Sequence, residues 1–173
     1  TSRIVLDANI YTMNNRAEAF WMKKGILGDT VPLELNAKEL VHRNNKNSEL
    51  TVYGYTPMMV SVQCVQKTMD HCNHACVQYV LKDRYQKEFR GVCSCEFCYN
   101  TIYNTLPTSL LKEKEKAEKL GVKAYRLSFT TETQQETEKI VRAFVDVYLR
   151  GQKPDGQMQT EETTKGHFQR GVE

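Results

Sequence analysis

Short apolar runs alternate with amphipathic stretches along most of the chain. An apolar run of roughly four to eight residues is typical of a buried strand, and a period near ~3.6 is typical of a helix. Strands are predicted on this basis at residues 3–9, 30–35, 49–55 and 122–129. Helices are predicted at residues 16–24, 37–43, 107–121 and 133–150. Residues 58–62 continue or follow the third strand, and residues 79–83 and 87–92 are predicted to form a small hairpin.

Polar capping residues mark the starts of the first two predicted helices. Asn14 or Asn15 is placed to cap the first helix, and Gly25 is placed to end it. Asn36 precedes the second helix, and Glu39 follows three residues later, which is the spacing of a capping box. The predicted order is therefore strand, helix, strand, helix, strand, insert, helix, strand, helix.

This alternation predicts an α/β fold in which helical crossovers connect parallel strands. Four such units make half of a (β/α)8 barrel of the TIM type, and an open doubly wound sheet is the alternative. We expect residues 1–150 to form a C-terminal half barrel with a cysteine-rich insert at 64–98, and residues 151–173 to form a tail. A half barrel exposes strand edges, so a partner is expected, either an N-terminal half or a second copy.

Composition favours one soluble domain. The chain has 173 residues, a hydrophobic fraction of 40% and well-mixed charges, with a net charge of only +3. Such an excess indicates a diffuse basic surface rather than a nucleic-acid site. No apolar run approaches the ~20 residues that a membrane span requires, and a cytoplasmic location is the default expectation. The abrupt start, without an initiating Met, is typical of a fragment.

The cysteines change the picture most. All of them lie between residues 64 and 98, at Cys64, Cys72, Cys76, Cys93, Cys95 and Cys98. Such clustering favours a metal site over a disulfide framework, which usually staples distant segments. The predicted hairpin would bring the first three and the last three together, and His71 and His74 are possible substitute ligands. Zinc and an iron–sulfur cluster each take four ligands, so the spacing leaves both open, beside a set of merely buried thiols.

Other polar residues are candidates for substrate binding. Four of them stand where predicted strands end, and they can bind substrate or merely cap helices: Asp7, Asn9, Glu34 and Asn36. Arg126, in the last strand, is expected to point into a barrel and pair with a carboxylate. His167 stands with Phe168 and Arg170 between two glycines, although a plain loop explains it equally. No phosphate-binding glycine loop, HExxH or GxSxG motif is present. The sequence therefore gives no support for a P-loop nucleotide-binding protein, an HExxH metalloprotease or a GxSxG hydrolase.

Four segments, in order, resemble a known family. They are VYGYTPMMVS at residues 52–61 with Cys64 after it, LKDR at 81–84 with IYNT at 102–105, YRLSFT at 125–130, and TKGHFQRGVE at 164–173. Together they resemble peptidase family U thirty-two, the collagenase-like, PrtC-type proteins. The resemblance runs along nearly the whole chain.

The resemblance implies a barrel fold of which this chain is the C-terminal half. It also implies a four-iron, four-sulfur cluster on Cys64, Cys72, Cys76 and Cys98, with Cys95 or Cys93 as the alternative fourth ligand. Members with such a cluster support hydroxylation of RNA bases or of small aromatic compounds, and others are classed as peptidases that act on peptide substrates. Three functions are expected as alternatives. The resemblance implies a cluster-dependent modifying enzyme or a hydrolase, and the cysteine spacing alone leaves a structural zinc module. Glu34, Asn36, Arg126 and His167 are the expected substrate-binding residues.

Overall fold

Two β-sheets organise the protein. The computed structural model describes residues 3–70, 72–155 and 162–171. In chain order the strands are β1 (Val5–Leu6), β2 (Gly28–Thr30), β3 (Ser48–Gly54), β4 (Pro57–Ser61), β5 (Gln78–Lys82), β6 (Glu88–Ser94), β7 (Tyr99–Tyr103), β8 (Thr108–Ser109) and β9 (Ala124–Ser128). The α-helices are α1 (Asn15–Lys23), α2 (Ala37–Leu40), α3 (Val65–Thr68), α4 (Lys114–Lys119) and α5 (Gln134–Phe144). Tighter turns lie at Ala8–Ile10, Cys95–Phe97, Leu111–Glu113 and Gly166–Phe168, and a wider turn, Val145–Leu149, extends α5.

The first sheet, called here the parallel sheet, contains β1, β2, β3 and β9 as parallel neighbours in that order. The short β8 runs antiparallel to the distal end of β3, with Ser109 opposite Tyr53. Because β9 follows one edge of β3 along its length, β8 prolongs β2 on the other edge. The mixed α/β architecture is thus confirmed, whereas the described residues form an open sheet and no closed barrel.

The hydrophobic core lies on one face of the parallel sheet. Leu50 and Val52 of β3 are buried there, and Glu49 and Thr51 alternate with them and point to the opposite face, half-buried. The helices and the end of the chain cover the core face with Val31, Leu40, Leu110, Leu111, Ala117, Leu120, Ala143, Phe144, Val147 and Phe168. The opposite face of β3 is therefore left to polar side chains.

Three of the four predicted helix starts are confirmed by their caps. Asn14, and not Asn15, caps α1 with its side-chain oxygen. Asn36 and Glu39 form the expected capping box at α2. Thr133 forms a second capping box at the start of α5. None of the helices in the described ranges is long and apolar enough to cross a membrane.

The helix predicted at 107–121 starts later than its proline suggests. The backbone N–H of Leu110 donates to the carbonyl of Val52, and that of Ser109 donates to the carbonyl of Thr164, both at 2.8 Å. Because of these long-range hydrogen bonds, the residues after Pro107 are extended. Proline at the first helical position would instead place them in the first turn of a helix. The helix α4 forms only after them.

Three predicted strands also differ in extent. The strand predicted at 3–9 shortens to β1 because a tight turn follows it. The strand predicted at 30–35 lies earlier, as β2 at Gly28–Thr30, and shares only Thr30 with the prediction; Pro32, two residues on, has no N–H to give to a ladder. Of the two alternatives for residues 58–62, the second is confirmed: they follow the third strand, and most of them belong to β4, which lies in the other sheet.

The second sheet, called here the meander sheet, is antiparallel, with the order β4, β7, β6, β5. Its β5 and β6 confirm the hairpin predicted at 79–83 and 87–92. Asp83 explains the tight turn, because its carboxylate accepts the N–H of Tyr85 at 2.8 Å and the N–H of Lys87 at 2.9 Å. The sheet occupies the whole connection between β3 and β8, so the inserted unit is longer than the cysteine window.

A buried polar network ties β2 and β3 to the end of α2. The Asp29 carboxylate accepts from Arg43, from Thr12 and, at 2.6 Å, from Ser48. Arg43 also donates to the carbonyl of Thr12 at 2.8 Å and to Asn45 at 2.9 Å. All five residues are buried, and every one of them is paired, which is the condition for a stable buried ion pair.

The end of the chain is anchored by one buried carboxylate. Glu113 accepts from Lys116 at 2.7 Å, from Lys165, and from Gln169 at 3.3 Å. Burial favours a higher pKa for Glu113, but the two lysines offset it and hold this pKa below its usual value. Phe168 enters the core beside these contacts, so residues 164–169 pack against the domain.

Candidate metal centre

All six cysteines lie at one end of the meander sheet, called here the cysteine end. Because neighbouring strands are antiparallel, this end holds the last residues of β4 and β6 and the first residues of β5 and β7. Each cysteine belongs to one of these strand ends or to a segment that joins them: Cys64, Cys72, Cys76, Cys93, Cys95 and Cys98. The hairpin therefore brings the two sets of cysteines together, as the sequence predicts.

Two of the cysteines form a buried pair. The sulfur atoms of Cys64 and Cys93 are 3.7 Å apart, and both residues are buried. The backbone N–H of Lys67, in the turn that Cys64 starts, lowers the pKa of the Cys64 thiol. Burial raises the pKa of Cys93 to about 11, and the neighbouring Cys64 adds to the effect. Cys64 is therefore the more readily ionised member of the pair.

A second, more accessible group lies beside this pair. Ligand atoms of Cys72, His74 and Cys95 all lie within 4.8 Å of one another. The Cys76 sulfur accepts the backbone N–H of Cys95 at 3.4 Å, and the Cys98 thiol donates to the carbonyl of Cys95 at 3.7 Å. Cys95 is the centre of this group, and His71 lies outside the described residues.

The pKa of Cys95 depends on sulfurs of both groups. Burial raises this pKa first, and the sulfurs of Cys72, Cys98, Cys76 and Cys64 raise it further. Several thiolates at this spacing repel one another, and a bound cation removes that repulsion. The cysteine end is thus a site where a metal would stabilise the ionised sulfurs.

Hydrogen bonding is incomplete around the same sulfurs. Within the described residues, four buried side-chain polar atoms lack a partner, and three of them belong to Gln66, Tyr79 and Asn100. Gln66 follows Cys64 by two residues, and Asn100 stands opposite Cys93 in the β6–β7 ladder. Buried polar atoms are usually paired, so an unpaired set points to a further group such as an ion or water. The sulfur donor set fits a bound metal or cluster, and of the three unpaired atoms only the Tyr79 hydroxyl is a donor that a metal-bound thiolate could accept from.

Both groups have spacings that a metal tolerates. Zinc–sulfur bonds of about 2.3 Å in tetrahedral geometry put sulfurs about 3.8 Å apart. The 3.7 Å between the sulfurs of Cys64 and Cys93 is close to this value, and the ligand atoms of Cys72, His74 and Cys95 lie within 4.8 Å of one another. An iron–sulfur cluster takes four thiolates, and the cysteine end supplies six.

Arg126 confirms the expected pairing with a carboxylate. Its guanidinium lies 2.7 Å from the Glu49 carboxylate and 3.6 Å from that of Asp7, and it donates to Thr30 at 3.1 Å. These residues belong to β1, β2, β3 and β9 or directly follow them, on the face of the parallel sheet that the core leaves open. A cavity at the ends of these strands is lined by polar side chains that include Asp7, Asn9 and Arg126.

Asn36 and His167 each lie beside the turn at Gly171, away from Arg126, so the expected substrate-binding residues do not form one group. His167 Nδ1 lies 3.0 Å from the carbonyl oxygen of Gly171. A side chain at Gly171 would meet the Asn36 amide at 2.7 Å, and φ is +78° there, so this turn requires glycine. Asn36 thus caps α2 and packs closely against this turn. The Glu34 carboxylate makes no hydrogen bond or ion pair that the described part of the chain shows.

The Arg126 cavity and the cysteine end lie at opposite ends of β4. Pro57, at the start of β4, lines the cavity, and Ser61, at its end, leads into Cys64. Pro57 and Ser61 are four residues apart, and at ~3.3 Å per residue along a strand this separates them by about 13 Å. A metal at the cysteine end would therefore not touch a molecule in this cavity.

Glu49, Tyr79 and Asn100 escaped the sequence reasoning. Their significance depends on which residue lies opposite them in a ladder, and no local pattern shows that.

Comparisons with family models, with curated proteins and with solved structures found no significant match to this chain.

Proposed function

We propose that this chain is the metal-carrying C-terminal half of a β/α-barrel enzyme, with a four-iron, four-sulfur cluster at the cysteine end. The observation that carries the proposal is the convergence of six cysteines from two stretches of the chain, residues 64–76 and 93–98, at one end of a sheet. The resemblance to peptidase family U thirty-two suggests the kind of cluster, and that part rests on the sequence motifs alone.

The proposed ligands are Cys64, Cys72, Cys76 and Cys98. The lowered pKa of Cys64 supports its role, since the thiolate is the form that binds metal. Cys95 is the alternative to Cys98, because it lies next to both Cys72 and Cys76.

The half-barrel part of the proposal draws support from strand order. Strands β1, β2, β3 and β9 are parallel and adjacent in the order of the chain, as consecutive barrel strands are. The open face with Arg126 and Glu49 would then line the barrel interior, once an N-terminal half or a second copy pairs with the free edges of β1 and β9.

A bound cluster would supply electron transfer. The chain's own residues would bind the substrate in the Arg126 cavity, where guanidinium, carboxylate and amide groups suit a polar compound. We propose an RNA base or a small aromatic compound as substrate, with hydroxylation as the type of reaction. The distance of about 13 Å, from four strand steps of ~3.3 Å, assigns the cluster to electron supply rather than to substrate contact.

Structural zinc is the second candidate, and one observation favours it. His74 lies within 4.8 Å of the sulfurs of Cys72 and Cys95, and imidazole is a common zinc ligand. In this alternative Cys72, His74, Cys76 and Cys95 hold zinc, and the cysteine end stabilises the meander sheet without redox activity.

Single Cys→Ser variants in anaerobic iron and sulfide loading test the ligand assignment. We expect Cys64→Ser and Cys72→Ser to lose most of the bound iron, and Cys93→Ser to keep it. His74→Ala separates the alternatives, because it leaves an all-cysteine cluster intact and weakens the zinc site. Full iron loading in both Cys64→Ser and Cys72→Ser would contradict the proposed cluster.

A further inference from the structure

The Tyr79 hydroxyl is buried next to the cysteine end without a hydrogen-bond partner in the described residues. Tyr79 stands directly opposite Gly91 in the β5–β6 ladder. A side chain at Gly91 would come within 2.3 Å of the Tyr79 ring, so only glycine leaves room for the ring. The glycine at position 91 thus makes room for a tyrosine whose hydroxyl has no hydrogen-bond partner among the described residues.

The hydroxyl lies over Gly91, where a side chain at that position would come within 2.8 Å of it, on the face of β6 that also carries Cys93. Cys93 lies two residues beyond Gly91 on β6, so its side chain is on the same face of the sheet. Diagonal neighbours across a ladder are about 7–8 Å apart, a distance that an aromatic side chain spans. Burial raises the pKa of the Tyr79 hydroxyl, and the nearby Cys93 and Cys64 raise it further, in agreement with this placement.

We propose that Tyr79 is a positioning residue of the metal centre, and that its hydroxyl donates a hydrogen bond to the Cys64 thiolate of the Cys64–Cys93 pair when metal is bound. The inference rests on the proposed function, in which Cys64 is a ligand. A metal-bound thiolate carries negative charge and accepts a hydrogen bond more strongly than a thiol does. The buried donor therefore finds its partner in the loaded protein.

Such a hydrogen bond changes the redox behaviour of a cluster. Reduction adds negative charge to the cluster and its sulfurs, so a donor stabilises the reduced state more than the oxidised state. Removal of the hydroxyl is expected to disfavour the reduced state by about tenfold, which is ~59 mV for a one-electron couple.

Tyr79→Phe tests this role, with Tyr85→Phe as the matched control. Tyr85 lies at the exposed tip of the same hairpin. The full chain of each variant is loaded with iron and sulfide without oxygen, and iron content and midpoint potential are measured. We expect equal iron contents, a potential about 59 mV more negative for Tyr79→Phe, and no shift for Tyr85→Phe. The metal-free Tyr79→Phe protein should melt no lower than the parent, because it has lost an unpaired buried group.

The possible outcomes distinguish a failure of the proposed role of Tyr79 from a failure of the proposed cluster. An unchanged potential in a fully loaded Tyr79→Phe variant would overturn the role of Tyr79 and leave the cluster in place. A metal-free Tyr79→Phe protein that melts well below the parent would show that the hydroxyl serves packing instead. A parent chain that takes up no iron and sulfide would overturn the proposed cluster itself, and this inference with it.

Discussion

Asp29→Ala is expected to be the most destabilising single change in the buried network. The variant removes the carboxylate that pairs with Arg43 and accepts from Thr12 and Ser48. The side chain of Arg43 is only 2% exposed, so its charge is left in the interior without a counter-ion. Breaking one partner of a buried pair costs about 3–5 kcal/mol. That is a large share of the ~5–15 kcal/mol that holds a typical domain folded.

Denaturant unfolding followed by circular dichroism measures this loss. Glu138→Ala is the control, because its pair with Arg142 is exposed and is expected to contribute below ~1 kcal/mol. The double variant Asp29→Leu with Arg43→Met should recover much of the stability, since it removes both charges together. A loss below about 1 kcal/mol for Asp29→Ala, a size typical of exposed pairs, would refute the reasoning. Additive losses in the double variant would refute it as well.

Two further predictions concern the meander sheet and the end of the chain. Gly91→Ala should displace the Tyr79 ring, which lies 2.3 Å from the new methyl group, and lower stability by about 1–3 kcal/mol in the same unfolding assay. An equally stable variant would contradict the close packing. For Glu113 the lowered folded pKa makes its stabilisation present above the unfolded pKa near ~4.3 and lost as pH falls through the folded value. The melting temperature of Glu113→Gln should therefore lie below the parent's at pH 7 and approach it at acid pH, whereas a constant gap would contradict the role of Lys165 and Lys116.

The features that were predicted from the sequence depend on neighbours along the chain. Asn36 and Glu39 make a capping box within four residues, and Asp83 closes a hairpin turn within five. The convergence of the cysteines follows from that hairpin, which places Cys76 and Cys93 at the same end of two paired strands. Local signals of this kind need no knowledge of the remaining fold.

The features that escaped prediction depend on pairing between distant segments. The carbonyls of Thr164 and Val52 accept the backbone N–H groups of Ser109 and Leu110, and neither bond is visible from the helix-like sequence that follows Pro107. The partner of Arg126 was expected to be a carboxylate, yet only the register of β3 and β9 identifies it as Glu49. Long-range register decides such contacts, and the hydrophobic pattern constrains it only weakly.

The central claim is that the cysteine end holds an iron–sulfur cluster. Iron, zinc and acid-labile sulfide content, measured on protein purified without oxygen together with its visible absorption, tests it most directly. The account predicts a brown protein with about four irons and four sulfides per chain. A colourless protein with one zinc and no sulfide would contradict it, and would assign the cysteine end to structural metal binding.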